Sequence, residues 1–212
     1  YNEVKNGLEK TLKRAKKVKE INEIIVVDDG SSDGTAKIAK KHCLVITHKK
    51  NKGKGAAMMT GAKAAKNDHI LFMDATQFHP EDTILFLEKA DEYDHVIGKR
   101  DFHKMPWQRR LNNALTLLAF FLATGKNGND VMSGYRLIKR DTYIRLKPKA
   151  SNFLIESEVC YKAAKAGVTF TSVPVKVDYP KRLEFNKLTW KQSFLIAVFW
   201  FKHVLRSWFQ LD

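Results

Sequence analysis

Asp28 and Asp29 follow an apolar run at residues 23–27 (EIIVV) and precede Gly30-Ser31-Ser32, a string of turn formers. Asp74 follows a second apolar run at residues 69–73 (HILFM). A single acid after a strand commonly caps the next helix. Acids at two strand ends on one edge point instead to a ligand site, because open α/β sheets bind ligands beyond the carboxyl ends of their strands. Between the two lies a basic loop, residues 49–55, in which Gly53 and Gly55 permit a close approach to the backbone. Further along, Arg109 and Arg110 stand side by side, and a guanidinium recognises phosphate bidentately.

The elements that must position these groups alternate along the first half of the chain. Residues 4–19 read as a basic helix, with Val4, Leu8, Leu12 and Ala15 at helical spacing. Residues 23–27 read as a buried strand, 33–41 as a helix, 43–47 (CLVIT) as a strand and 56–66 as a helix of small residues. A strand at 69–73, a helix at 80–89 opened by Pro80-Glu81-Asp82, and a short strand at 94–98 follow. Strands separated by helices of this length imply an α/β fold with a mostly parallel sheet flanked by helices. The second half predicts a helix at 107–124 with a basic start and an apolar end, a strand at 134–139 and a helix at 153–166. Residues 168–179 alternate and contain Pro174, which marks a broken or edge strand. An aromatic helix is expected at 188–211.

Composition bounds the rest. With 212 residues and 44% hydrophobic residues, the chain buries a core and is not a disordered segment. No apolar run reaches the roughly 18 residues of a spanning helix. The two cysteines, Cys43 and Cys160, form no CxxC pair, and a reducing compartment is expected. The chain has 38 Lys and Arg against 23 Asp and Glu, a net +15, which suits nucleic acid, an anionic bilayer or phosphate-bearing small molecules. The basic residues are spread along the chain with no nucleic-acid motif, so no nucleic-acid partner is expected.

An ordered series of motifs narrows the choice. Tyr1-Asn2-Glu3, Val26-Val27-Asp28-Asp29-Gly30-Ser31-Ser32-Asp33-Gly34-Thr35, Asn51-Lys52-Gly53-Lys54-Gly55, Met73-Asp74-Ala75-Thr76 and His79-Pro80-Glu81-Asp82 together resemble the family 2 glycosyltransferases. Ser133-Gly134-Tyr135-Arg136, Val173-Pro174-Val175 and Tyr179-Pro180-Lys181-Arg182 resemble the branch that loads mannose or glucose onto dolichyl or other polyprenyl phosphates. The resemblance implies a GT-A (Rossmann-like) fold over residues 1–187, a nucleotide-diphosphate sugar donor and Mg²⁺ or Mn²⁺. It assigns Tyr1, Glu3, Asp28, Asp29, Gly53, Lys54, Asp74, Ala75 and Arg100 to the donor, and Asp74 to the metal as the first acid of a DxD pattern. The family has an apolar strand immediately before the Tyr-Asn-Glu motif, and this sequence begins inside that motif, so either residues precede Tyr1 or the sheet lacks that strand. It also has Thr76 where the pattern has a second acid, and Phe78 where the branch has a glutamine. Asp74 then holds metal with Thr76 as a weak ligand and Gln77 as a further candidate, and weakened metal dependence is expected because hard cations favour charged oxygens.

The reaction implied is an inverting displacement at the sugar's anomeric carbon. Arg100, Arg182 and Lys187 are candidates to offset negative charge, Asp74 and Asp130 are the catalytic acids assigned with Arg100 and Arg182, and Arg109, Arg110, Arg182 and Lys187 are candidates for the acceptor phosphate. A polyprenyl phosphate is already nucleophilic, whereas a sugar hydroxyl would need a base, for which Asp130, Glu156 and Glu158 are available. Glu156 and Glu158 flank Ser157 on a helix and point in different directions. Residues 188–212 are expected to form an amphipathic helix at an anionic membrane surface, since an apolar stretch at 194–201 is flanked by Lys191, Lys202 and Arg206 and by Trp190, Trp200 and Trp208. Residues 115–122 read either as a second such face or as core. The expected location is the cytoplasmic face of a membrane, peripheral or anchored. The alternative is a nucleotide-sugar binder whose catalysis is weakened or lost through Thr76.

Overall fold

The computed structural model describes the chain apart from residues 4–6, 76, 151, 153, 180–186 and 210–212, and describes only the backbone of residues 187–192. The elements run α1 (Leu8–Ala15), β1 (Ile25–Asp28), α2 (Thr35–Ala39), β2 (Leu44–Thr47), α3 (Lys54–Ala64), β3 (His69–Phe72) and a 3₁₀ turn (Pro80–Asp82) leading into α4 (Thr83–Leu87). They continue with β4 (His95–Arg100), α5 (Trp107–Thr124), β5 (Arg136–Lys139), α6 (Arg140–Leu146), α7 (Ile155–Lys165), β6 (Phe170–Val175) and α8 (Lys187–Trp208).

β1 and β2 pair in parallel, Ile25 opposite Leu44. The other strands form a four-stranded sheet in the order β3-β5-β4-β6. β4 and β6 are parallel, but β5 enters antiparallel between β3 and β4. The α/β layering is as expected, and the antiparallel strand β5 is separated from β4 in sequence by α5. β6 lies at the end of this strand order, a position that tolerates Pro174 because an edge strand has an N–H that needs no ladder partner.

Buried clusters bind the layers. Met58 and Ala62 of α3, Tyr143 of α6 and Ile155, Val159 and Ala163 of α7 pack around Ile138 of β5. Ile97, Phe120, Val131, Cys160, Ile196 and Trp200 form a second cluster that fastens α8 onto α5 and α7. Trp200 meets Phe120 edge-on at 5.7 Å between ring centres. One face of α8 is therefore core. Its other face leaves Phe194, Val198, Phe201 and Trp208 exposed, and α5 beside it exposes Trp107, Leu111, Leu115, Leu118 and Leu122. Residues 115–122 are part core and part exposed: Thr116 and Phe120 are buried while Leu115, Leu118, Phe121 and Leu122 face outward. Among the described residues no helix is long and apolar enough to cross a membrane.

Candidate active site

The acids at the strand ends are held by the loops that follow them. Asp28 accepts the Ser31 hydroxyl and the Ser31 N–H (3.3 Å), closing its own turn. Asp29 is buried and accepts the N–H groups of Lys52 (2.9 Å) and Gly53 (2.7 Å), while His48 Nδ1 donates to it at 2.7 Å. The other ring nitrogen of His48 meets Thr60 at 2.9 Å on α3. Asp29 thus ties β1, β2 and the glycine-containing loop together, and His48 is a partner that sequence reasoning missed. The amino-terminal motif lies on the same loop: Asn2 N–H donates to Ser31 (2.9 Å), Ser32 N–H to Asn2 (3.1 Å) and Glu3 N–H to Thr35 (3.0 Å). The Tyr1 side chain beside them is exposed.

Burial alone would raise the Asp29 pKa, but the His48, Lys52 and Gly53 donors outweigh it and hold the carboxyl below its ordinary value. A carboxyl depressed by folding stabilises the protein fully above its unfolded pKa, about 3.9, and loses that contribution as pH falls through the lower folded value. The urea midpoint of the wild type should therefore fall on acidification from pH 6 towards pH 3. Asp29→Asn should be less stable at pH 6, with a shallower fall. Equal slopes for the two proteins would contradict this.

Gly53 leads directly into Lys54, the first residue of α3, and so joins the two strand ends. The Lys54 ammonium lies 2.6 Å from Asp74 Oδ1 and in contact with Glu156 Oε1 of α7. Burial would depress the Lys54 pKa, but the charges of Glu156 and Asp74 raise it, so the ammonium is retained. Asp74 is half-exposed, at 38% for its side chain. Its carboxylate lies against Gly134, where a Cβ would sit 2.7 Å from the Asp74 carboxyl carbon, closer than any side chain tolerates. Gly55 serves packing rather than ligand approach, since a Cβ there would collide with the Ala150 carbonyl oxygen. Arg136, fully buried, donates to the carbonyls of Val131 (3.2 Å), Ser133 (3.1 Å) and Glu156 (3.2 Å), and thereby fixes α7 relative to the Gly134 segment.

Next to this cluster Arg100 makes a bidentate pair with Asp130, at 2.8 Å to each carboxylate oxygen. The two candidates are thus one unit: Asp130 is 1% exposed and both its oxygens are committed, so it is not a separate base. Burial lowers the Arg100 pKa, and Asp130, Tyr179 and Asp74 more than restore it. Burial, and after it the neighbouring charge of Arg100, depresses the Arg109 pKa. Arg110, its neighbour in sequence, is exposed. The Tyr179 hydroxyl is buried without a hydrogen-bond partner among the described residues. Glu158 is engaged elsewhere, accepting the Lys149 and Ala150 N–H groups and pairing with Lys162 at 2.8 Å. Gln77 contributes its backbone carbonyl to Asp178 (2.9 Å), and Ala75 packs partly buried behind α1 and β1. Thr76 and Arg182 lie outside the described residues, as does the side chain of Lys187.

No group of three His, Cys, Asp or Glu side chains among the described residues is placed to hold a metal ion. Asp74 nevertheless fits a hard cation: it is an open carboxylate at a strand end with an ammonium already seated on one oxygen.

The model of the glycosyl transferase family 2 family matches residues 1–147. The chain is 31% identical over 169 residues to "Glycosyltransferase AglJ" of Haloferax volcanii, covering 74% of this chain and 54% of that protein, so it spans about half of that relative's length. It is 29% identical over 187 residues to the UDP-N-acetylglucosamine–dolichyl-phosphate N-acetylglucosaminyltransferase of Methanococcus voltae, covering 74% of each. The fold is that of glucosyl-3-phosphoglycerate synthase from Mycobacterium tuberculosis, solved with Mn²⁺, UDP-glucose and phosphoglyceric acid, with a TM-score of 0.74 at 17% identity over 93% of this chain and 74% of that one. That likeness establishes the GT-A fold.

Proposed function

The chain belongs to glycosyl transferase family 2, and from that premise we propose that it moves a hexose from a nucleotide-diphosphate sugar to a polyprenyl phosphate at a membrane surface, with inversion at the anomeric carbon. The observation that carries this reading is the convergence of Asp29, Lys54 and Asp74 at the strand ends, with Arg100 and Arg109 beside them. The donor class is supported by the UDP-glucose and Mn²⁺ of the structural neighbour, and the acceptor class by the dolichyl-phosphate named for the relative from Methanococcus voltae.

The chemistry has two demands. Charge builds on the departing nucleotide diphosphate, and Lys54 and Arg100 are the fixed cations that face it. Asp74 would hold a divalent cation there, which would neutralise further charge on the diphosphate. The second demand is a nucleophile. A phosphate monoester, with a second pKa of roughly 6, is ionised at neutral pH and needs no base. That suits a site in which Asp130 is locked to Arg100 and Glu158 to backbone N–H groups. Arg109 and the Tyr179 hydroxyl, which has no hydrogen-bond partner among the described residues, are the groups we assign to the acceptor phosphate.

The exposed apolar faces of α5 and α8 would lie on the bilayer at its cytoplasmic face, with the exposed Lys202 and Arg206 toward anionic headgroups. Incubation with UDP- and GDP-hexoses and polyprenyl phosphate in anionic vesicles, with Mg²⁺ or Mn²⁺, should give lipid-extractable sugar; no turnover with any donor would contradict the reading. Leu115→Asp with Phe201→Asp should lower co-sedimentation with those vesicles at least about tenfold, because each buried side chain of this size contributes about 1.5–3 kcal/mol. Undiminished co-sedimentation would remove these faces from the membrane. A second reading, donor binding without transfer, rests on Thr76 in place of an acid. It would prevail if nucleotide sugars bound unchanged without transfer and Thr76→Asp created activity.

A further inference from the structure

The DxD pattern of this chain lacks its second acid, since residue 76 is threonine. We propose that Glu156, from α7, supplies the missing carboxylate in space, so that Asp74 and Glu156 together form the cation site for the donor's diphosphate. This rests on the donor reading above.

Three observations converge on it. The carboxylates of Asp74 and Glu156 already share one cation, the Lys54 ammonium, which touches Asp74 Oδ1 and Glu156 Oε1. Glu156 is 3% exposed, and its Oε2 finds no hydrogen-bond partner among the described residues. A buried carboxyl oxygen without a partner is costly, and a hard cation is a partner that would relieve it. Finally, the single ammonium of Lys54 is shared by the two carboxylates of Asp74 and Glu156 and does not by itself balance both. A divalent cation held by Asp74 and Glu156 would supply the remaining positive charge toward the diphosphate.

The two carboxylates are held for the task. Gly134 leaves the space that Asp74 occupies, and the Arg136 guanidinium grips the Glu156 carbonyl at 3.2 Å. Glu158, two residues on, is spent on the 149–150 backbone and takes no part. Two protein carboxylates, with diphosphate oxygens and water completing the shell, is how Mg²⁺ is ordinarily bound.

The test is Mn²⁺ affinity by electron paramagnetic resonance, with UDP and with GDP, alongside nucleotide titration calorimetry in EDTA and in Mn²⁺. The wild type should bind Mn²⁺ in the presence of nucleotide. Glu156→Gln should weaken that binding at least about tenfold, since even outer-shell partners of a metal site typically cost about 10–100-fold when lost, and Thr76→Asp in the Glu156→Gln background should restore most of it. Lys54→Gln, which removes the competing ammonium, should tighten binding of Mn²⁺ alone; this holds whether or not the Glu156 variants fold, and a merely structural role for Lys54 would not produce it. The proposal is overturned if Glu156→Gln binds Mn²⁺ like the wild type, if Lys54→Gln leaves Mn²⁺ binding unchanged or weaker, or if wild-type nucleotide affinity is the same in EDTA as in Mn²⁺. Failure of both UDP and GDP to bind, with or without Mn²⁺, would bring down the donor reading and this proposal with it.

Discussion

Asp74→Asn is expected to lower the rate of sugar transfer about 10²- to 10³-fold, the usual cost of removing one preorganised electrostatic group, while leaving the folded state nearly intact. The asymmetry comes from exposure. The Asp74 side chain is half-exposed, so its loss uncovers little and leaves Lys54 still paired with the buried Glu156. On the reading proposed above, Asp74 would hold the divalent cation, and it also draws the Lys54 ammonium to the open edge of the site. Gly134→Ala should reproduce part of the loss without replacing a charged residue, because the added methyl would occupy the space of the Asp74 carboxylate. Turnover by Asp74→Asn within threefold of the wild type, measured with a donor that the wild type uses, would remove Asp74 from the reaction.

Arg100→Met should destabilise the protein severely. It leaves the Asp130 carboxylate, 1% exposed, without the guanidinium that takes both its oxygens. Breaking a buried pair by removing one partner costs about 3–5 kcal/mol. For a chain of this size each kcal/mol moves Tm by about 2–4 °C, so a fall of roughly 6–20 °C is expected by calorimetry. Adding Asp130→Asn to Arg100→Met should recover part of the loss, since the uncompensated charge is then gone. A Tm within 2 °C of the wild type for Arg100→Met would mean that the pair does not hold the β4 end to the 130 loop.

The sequence made some of this legible and concealed the rest for physical reasons. The strands ending in Asp28 and near Asp74 were visible because short β-branched and apolar runs are bounded by turn formers, and the helix at 107–124 was visible through its length. The start of α3 at Lys54 rather than 56 was not, because Gly53 and Gly55 read as loop. The helix Arg140–Leu146 was missed altogether: it follows β5 without a turn residue, and its seven residues are too few to show a period. The antiparallel entry of β5 is a tertiary outcome that no local pattern encodes.

In the site, the sequence pointed to the right segments but not to their pairings. The sequence presents Asp130 and Arg100 as separate groups thirty residues apart, whereas they form one ion pair. Glu156 and Glu158 were equal candidates by type and spacing. Their opposite directions follow from the helix, but which one would meet Lys54 depends on how α7 packs, which Arg136 fixes from within the core. His48 carried no signal beyond being a histidine at a strand end. Arg109 and Arg110 look alike in sequence and part in space, one beside Arg100 and the other in solvent.

The most direct measurement is a crystal structure of the protein with UDP or GDP and Mn²⁺. The diphosphate should lie beyond the ends of β1 and β3, between Lys54 and Arg100, with Asp74 on the metal. A nucleotide seated on any other surface, with the space between Asp29, Asp74 and Arg100 closed by side chains, would contradict the assignment of this edge as the donor site.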